Sequence, residues 1–494
     1  MKRFIIIAGL LALGLTSCKK FLEEKPESFL VSAQFFKTPN QLQTAVDGCY
    51  KGLERPYVSV FLGLPLCEYW SLESLTGLST NPFGTGNDEA SFQRLDDIDP
   101  RNSYLLEIYK GVYVPMANIN NAIANIETTT VVDATTRDKY LGQLYFLRAW
   151  NYFHGVQLMG EIPLITTVSS SIKDADVQVP KAKIDRIYDQ IVADLVKAEA
   201  TGLPYQDVSG HVTMSAVKTL LAKVYLTMAG FPLKKTENYQ KAYEKAKELI
   251  DQPSSGLRLF PAYADLRNKA NHNIGEHIFM VQRRKITANN ELHFGMLPSP
   301  GKVNPPISVN TVFDTALLPT IPFYDTYKAG DRRKTEKSFF YTYKAGEVMN
   351  YKFWDDDAAV TGSSGNNIWL LRYADLLLVC AEAKAMADGG TTSDATAVKA
   401  YNDVHKRALP AETAGSVTVD EVLIERFHEL AYEYISWYDM LRTRKTYDLA
   451  NNRIVDILGF KALTHNRAFK ESDLLQPLPT AEVLNNPKLL EPAQ

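Results

Sequence analysis

The most specific chemistry in this sequence is at its start, where Cys18 closes the tetrapeptide LTSC. Lys2 and Arg3 precede an apolar run over residues 4–15. This is the pattern of a secretory signal, and the run is shorter than the roughly 20 residues that span a bilayer. A cysteine directly after small residues is the position that bacterial lipoprotein processing acylates. The alternative is an ordinary secretory signal with a chance cysteine. We predict a signal peptide over residues 1–17, a lipid on Cys18 and a tether over residues 18–38.

The rest of the chain offers little catalytic or metal-binding chemistry. His428-Glu429 begins like the zinc motif HExxH, but Tyr432 stands where the second histidine is required. Residues 272–277 read HNIGEH, one residue too long for HxxEH, and residues 355–357 lack the alternation and glycine of a calcium loop. We find no P-loop and no GxSxG motif in the sequence. We therefore predict no catalytic residues, no metal and no cofactor.

The composition is that of a globular protein without a nucleic-acid face. The 494 residues are 45% hydrophobic and 22% charged, with a formal net charge of −3. Nucleic-acid binding requires a basic surface, which this balance does not favour. Once Cys18 is lipidated, Cys49, Cys67 and Cys380 remain. A bridge between Cys49 and Cys67 is one reading, and buried free thiols are the favoured one.

Helical patterns recur in pairs along the chain, and these must position any binding site. Small residues on one helix face large residues on the next, as in tetratricopeptide-like repeats of helix, turn and helix. The start signal Thr38-Pro39 opens the first pattern. The segments predicted to be helical are 104–127, 135–159, 184–200, 213–229, 238–251, 369–388, 394–408 and 420–450.

Two long segments lose the helical period. Residues 55–103 and 253–367 are rich in glycine and proline, and the second contains alternating stretches at 278–282 and 339–343 that predict short strands. Loops of this length within a compact domain are usually functional. We predict a mostly α fold, with tetratricopeptide-like helical repeats and large loop-rich inserts.

Four passages together resemble the SusD/RagB family of lipoproteins from the nutrient-uptake systems of Bacteroidetes. Their order and spacing cover nearly the whole chain after the signal peptide. The passages are FLRAWNYF at 146–153 with LMGEIPL at 158–164, LRYADLLL at 371–378 with AEA at 381–383, ERFHELAYE at 425–433 with WYDMLR at 437–442, and LQPLP at 475–479.

The resemblance implies a lipoprotein on the outer-membrane surface that captures a nutrient without transforming it. It implies an oligosaccharide ligand and a TonB-dependent transporter as partner, anchorage by the N-terminal lipid, and no catalysis. It also implies one globular body, with a SusD-like helical-repeat region over 39–252 packed against a second region over 253–494. The rival functions are a surface glycan-degrading hydrolase and a protein-binding scaffold without carbohydrate affinity.

Sugar binding requires flat rings for the C–H face of the sugar and planar polar groups for its hydroxyls. Trp150, Trp369 and Trp437 lie in helical motifs and are predicted to be core. We expect the site in residues 68–94 together with 286–310. The ligand-binding residues predicted there are Tyr69, Trp70, Phe83, Asn87, Arg94, Asn290, His293 and Phe294.

The charges of the third passage have a structural role in this prediction. They are expected to pair in a partly buried network above Trp437, since such networks fix geometry more than they add stability. Arg372 and Asp375 are expected to serve the same purpose. The members of the predicted network are Glu425, Arg426, Glu429, Glu433, Asp439 and Arg442.

Overall fold

The computed structural model describes residues 35–54, 59–61, 64–66, 68–81, 87–168, 177–285, 287, 317–344 and 346–494. Most of the regular structure in these residues is helical. The α-helices are α1 (Pro39–Tyr50), α2 (Glu68–Leu75), α3 (Asn87–Arg94), α4 (Ser103–Ile126), α5 (Ala134–Met159), α6 (Ile184–Glu199), α7 (Met214–Ala229), α8 (Asn238–Ile250), α9 (Ile321–Thr326), α10 (Asp356–Thr361), α11 (Tyr373–Ala387), α12 (Ala395–Ala408), α13 (Val419–Glu429), α14 (Ser436–Thr443) and α15 (Thr480–Asn485).

The strands are short and pair only in twos. Each described sheet is an antiparallel pair: β1 with β2, β3 with β5, β4 with β8, β6 with β7, β9 with β10, and β11 with β12. Their bounds are β1 (Ser59–Phe61), β2 (Leu64–Leu66), β3 (Ser79–Thr80), β4 (His277–Val281), β5 (Leu318–Pro319), β6 (Phe340–Lys344), β7 (Glu347–Asn350), β8 (Ile368–Arg372), β9 (Thr391–Thr392), β10 (Val417–Thr418), β11 (Lys445–Asp448) and β12 (Arg453–Asp456).

Several helices begin at side chains that satisfy the free N–H groups of the first turn. Thr38 and Gln41 form a capping box at α1, as the start signal predicted. Thr213 accepts from the Ala216 N–H at the start of α7, and Asp394 does the same for Ala397 at α12. These ends are therefore fixed by local sequence.

The long helices pack in sequence order into one stack, in which α4 contacts α5, α5 contacts α6, α6 contacts α7 and α7 contacts α8. The stack continues directly from α8 to α11, although residues 251–372 separate them along the chain. Small residues permit this approach, since Ala242, Ala246 and Ala381 are fully buried. The predicted helical repeats are confirmed, and the insert leaves the stack unbroken.

Three boundaries differ from the sequence prediction. Residues 368–372 form strand β8, which pairs with β4, and α11 begins only at Tyr373. Residues 420–450 contain helices α13 and α14 and strand β11 instead of one helix. The segment 55–103 is not wholly irregular, because it contains α2 and α3. The predicted strands at 278–282 and 339–343 are confirmed as β4 and β6, each within one or two residues.

The predicted ionic network is present and is buried. Arg426 contacts Asp375 and Asp439 at 2.9 and 2.8 Å, and Arg442 pairs with Glu382. Trp437 is 1% exposed beside these charges. The network is larger than predicted, because further members come from distant segments. These are Lys223, Glu276, Asp331, Arg333, Lys352 and Arg407.

Arg372 and Asp375 do join this network, but through other partners. Arg372 lies on strand β8 and contacts Glu433 at 2.6 Å and Glu276 at 2.5 Å. Burial alone would raise the pKa of Glu276, but the charges of Arg407 and Arg372 lower it to about 2. The carboxylate therefore stays ionised in the core and joins β4, β8 and α12.

The remaining cysteine and membrane predictions are tested only in part. Cys49 and Cys380 are buried free thiols, so Cys49 is not bridged to Cys67. Cys18, the signal peptide and most of the predicted tether lie outside the described residues. Among the helices that the structure describes, none is both long and apolar enough to cross a bilayer.

Candidate functional site

Residues in or next to the two irregular segments contact each other at two described places. Arg283, just after β4, forms an ion pair with Glu54, which ends the 3-10 turn after α1. Farther along both segments, Ser79 of β3 pairs with Pro319 of β5, and the Thr320 N–H donates to the Leu78 carbonyl at 3.0 Å. Residues 78 and 79 of the predicted region 68–94 thus lie beside residues 319 and 320. All of the predicted region 286–310 except Thr287 lies outside the described residues, so its closeness to 68–94 stays a prediction.

A cavity of about 650 Å³ opens beside the Glu54–Arg283 pair. It lies between the end of α1, the loop before α7 and the end of β4. The last lining residue, Thr287, is the one described residue of the predicted site segment 286–310. The described residues that line the cavity are Asp47, Tyr50, Lys51, Leu53, Glu54, Ser209, Gly210, His211, Met280, Val281, Gln282, Arg283 and Thr287.

Tyr50 is the aromatic residue, besides the imidazole of His211, among the described residues that line this cavity, and its orientation is fixed. Its hydroxyl donates to Gln143 Oε1 at 2.7 Å and accepts from the Val212 N–H at 2.9 Å. His211 packs edge-on against the ring with centroids 5.4 Å apart. Burial raises the pKa of Tyr50 well above its usual value, so the phenol stays neutral. A neutral ring of fixed orientation suits contact with an uncharged ligand.

The planar polar groups of the cavity are also held in place. Gln282 donates to Asn273 Oδ1 at 3.0 Å and accepts from Asn367 Nδ2 at 2.8 Å. Asn367 also accepts from the Arg283 N–H at 2.7 Å. The Arg283 side chain is only 4% exposed, against 29% for Glu54. Amide, guanidinium and carboxylate groups of this kind can make paired hydrogen bonds to vicinal hydroxyls.

Ser209, His211 and Asp47 form a hydrogen-bonded chain that resembles a hydrolytic triad in composition. His211 Nδ1 lies 2.7 Å from Ser209 Oγ, and its Nε2 lies 2.9 Å from Asp47 Oδ1. The Ser209 hydroxyl, however, donates to Asp207 Oδ1 at 2.5 Å. The carboxylate of Asp207 and the imidazole of His211 therefore compete for the single hydroxyl proton of Ser209. The chain of contacts also ties the loop before α7 to α1.

One predicted ligand residue is placed differently by the structure. We predicted Trp70 as an accessible ring, and that prediction is wrong, because its side chain is 2% exposed on helix α2 within the hydrophobic core. Arg94 ends α3 and pairs with Asp96 at 2.8 Å, half exposed and away from the cavity lining. Trp150, Trp369 and Trp437 are all buried, as predicted.

The other predicted site residues lie outside what the structure describes. Asn87 and Tyr69 have described backbone but no described side chain. The remainder, Phe83, Asn290, His293 and Phe294, are outside the described residues altogether. Their roles therefore stay predictions.

The sequence analysis missed Tyr50, His211, Gln282 and Arg283. Nothing in the local sequence distinguishes Tyr50 from a core residue. The run Arg283-Arg284-Lys285, directly after a buried strand and at the border of an irregular segment, was a usable signal.

The fold and the cavity define a class of protein: a stack of helical repeats with a polar, ring-containing site built where its inserts meet. The sequence matches the SusD family over residues 323–492 and a family described as "Starch-binding associating with outer membrane" over residues 20–226. A SusD superfamily protein from Parabacteroides distasonis is 30% identical, with a TM-score of 0.83 over 93% of this chain and 99% of that one. The chain belongs to the SusD family.

Two further proteins are similar to this chain over nearly its whole length. SusD-like protein P2 of Formosa agariphila is 28% identical over 539 residues, covering 99% of each chain. Surface glycan-binding protein A from Bacteroides thetaiotaomicron, solved in complex with laminarihexaose, is 18% identical with a TM-score of 0.72, covering 92% of this chain and 99% of that one. At that identity the likeness concerns the fold alone.

Proposed function

We propose that this protein captures an oligosaccharide at the cell surface without transforming it, and passes it to a TonB-dependent transporter of the outer membrane. The observation that carries the proposal is the cavity of about 650 Å³, in which the Tyr50 ring lies among fixed amide, guanidinium and carboxylate groups. An uncharged ring and planar hydrogen-bonding groups are complementary to the two faces of a sugar.

The relatives support the ligand class. One neighbour of the same fold was solved with laminarihexaose and another with a xylogluco-oligosaccharide. The second family description that matches this chain names starch binding and association with the outer membrane. The bound glycans were observed in those neighbours. For this chain we infer only the ligand class, an oligosaccharide, and not the particular glycan.

Calorimetry on the lipid-free chain tests the capture step. The ligands are laminarihexaose, a xylogluco-oligosaccharide, maltohexaose and xylohexaose. We expect one of them to bind, and Arg283→Ala to weaken that binding at least about tenfold, which corresponds to roughly 1.4 kcal/mol. A matched control is Arg332→Ala, because Arg332 is an exposed arginine outside the cavity lining.

The same samples separate the rival functions. Release of reducing ends from any of these glycans would support a hydrolase and contradict the proposal. An absence of binding across the panel, combined with retention of a transporter complex, would support a protein-binding scaffold instead.

Membrane attachment is a separate part of the proposal. Lipid on Cys18 would hold the body at the outer membrane, facing outward. We expect Cys18→Ala to abolish incorporation of labelled palmitate and to move the protein into the soluble fraction. Protease accessibility on intact cells would report the outward face, and co-purification of a TonB-dependent transporter would report the partner.

A further inference from the structure

An aromatic surface outside the cavity has no role in the functions described so far. It consists of Tyr341, Tyr343, Tyr351 and Trp354, which we call the aromatic ribbon. Tyr341 and Tyr343 both lie on β6, whose pairing with β7 is irregular between Thr342 and Lys344. Tyr343 is 38% exposed, and Trp354 is half-buried. Tyr341, Tyr351 and Trp354 are in successive ring contact, and Tyr343 lies farther along β6.

The orientation of the ribbon is fixed by its own contacts. The Trp354 ring stacks on Tyr351 with centroids 4.7 Å apart and planes 9° apart. The Trp354 Nε1–H donates to Asp356 Oδ1 at 2.7 Å. Arg267 lies over the Tyr351 ring at 5.0 Å, and Tyr341 lies 6.3 Å from it. Tyr351 is thus enclosed, while Trp354 remains at the surface as a ring of defined orientation.

The ribbon is connected to the cavity by a short path along the chain. Arg283 lines the cavity, and Lys285, two residues farther on, lies 3.9 Å from Asp357 of α10. The adjacent Asp356 is the residue that holds Trp354. Asn367, which orders Gln282 in the cavity, follows the same α10 segment. Lys285 and α10 therefore link the residues that line the cavity to the residue that holds Trp354.

From this arrangement we propose that the ribbon is a second contact for the captured oligosaccharide, taking the sugar units beyond those held in the cavity. The inference rests on the proposed function and extends it to ligand length. Trp354 and Tyr343 would stack against the C–H faces of successive sugars, and the Asp357 and Lys269 ion pair at the edge of α10 would meet their hydroxyls.

The experiment compares long and short chains of the same glycan on the lipid-free protein. The long ligands are laminarihexaose, maltohexaose and xylohexaose, and the short ones are the corresponding disaccharides. We expect Trp354→Ala and Tyr343→Ala each to weaken hexasaccharide binding about fivefold or more, while disaccharide binding stays at the wild-type level. Trp354→Phe should retain most of the hexasaccharide affinity, because a ring remains.

Two results would overturn the inference, and they can be told apart. Wild-type hexasaccharide affinity in both alanine variants, together with lost binding in Arg283→Ala, overturns the ribbon alone. Failure of the wild-type chain to bind every ligand overturns the proposed function and the ribbon with it. We expect Tyr343→Ala to fold normally, because this exposed side chain contributes little to the core. A loss of binding in this variant therefore reports the ribbon and not misfolding.

Discussion

Arg283 and Glu54 form an ion pair between two segments that lie 229 positions apart in the chain. The arginine is nearly buried and the glutamate is partly exposed, so the pair closes one side of the cavity. It also links the end of the 3-10 turn after α1 to the residues that follow β4. The same contact therefore has a structural role and a place in the proposed site.

A double-mutant cycle on this pair measures the structural role. We expect Glu54→Ala and Arg283→Ala to be coupled by about 1 kcal/mol in the free energy of unfolding in urea, because the arginine is shielded from water. The control pair is Lys328 and Glu412, which are 2.8 Å apart with side chains 58% and 41% exposed. Exposed pairs of this kind should show coupling near zero. Equal coupling energies in both cycles would contradict a structural role for the Arg283–Glu54 pair.

Acid stability should depend on the buried carboxylates. Arg407 and Arg372 lower the pKa of Glu276 from 4.5 to about 2 against the opposing effect of burial. A depressed folded-state pKa stabilises the protein above the unfolded pKa, and this contribution is lost as pH falls from 4.5 to about 2. We expect urea titrations to show a steep loss of stability in that window.

The variant Glu276→Gln isolates this contribution. It should be less stable at neutral pH by about 3 kcal/mol, because Arg372 and Arg407 lose a buried partner. Its stability should also fall less steeply below pH 4.5 than that of the wild type. Glu491→Gln, at an exposed position, serves as the control. Parallel acid profiles for Glu276→Gln and wild type would refute the prediction.

The parts of the fold that sequence predicts well are those decided locally. Helix α7 follows from its capping Thr213 and its apolar period, and both signals lie within a few residues. Strand β8 was missed because its residues continue without a break into the apolar pattern of α11. A short apolar run cannot be assigned to strand or helix by period alone. Only the pairing of β8 with β4, through contacts such as Met280 with Trp369, decides it.

The site is harder to predict for the same reason. The cavity depends on contacts such as Arg283 with Glu54 and Tyr50 with Val212, which join residues far apart in the chain. Trp70 is the opposite case, because the sequence assigned it to the site and the structure places it in the core. Its neighbourhood is rich in glycine and proline, yet the residue lies on a short helix that packs into the core. Composition identified the segment as irregular, and tertiary packing overrode that reading.

The free energy of unfolding above pH 4.5 should depend on the protonation of Glu73. Burial raises its pKa from 4.5 to about 8, so the folded protein keeps a proton that the unfolded chain has released. A raised folded-state pKa gives stability that is full below 4.5 and is lost as pH rises to about 8. We expect Glu73→Gln to gain at least about 1 kcal/mol over wild type at the upper end of this window.

The glutamine variant is a suitable probe because it keeps the local hydrogen bond. Glu73 Oε1 accepts from the Tyr432 N–H at 2.8 Å, and Tyr432 has φ of 66°, a left-handed conformation that a tyrosine rarely adopts. A glutamine oxygen can accept from the same N–H. Denaturant titrations of both proteins at several pH values give the difference, and a constant difference across the window would rule out the assignment to Glu73.

The tryptophans provide a final test of the division between core and site. Trp70 and Trp437 are 2% and 1% exposed, so alanine at either position should cost about 3–5 kcal/mol of unfolding free energy. Trp354 is half-buried and stacks on a single ring, and Trp354→Ala should therefore cost only about 1 kcal/mol. Thermal and urea unfolding of the three variants measure these costs. If Trp70→Ala were as stable as Trp354→Ala, helix α2 would not be part of the core, and the original placement of Trp70 in an accessible site would regain support.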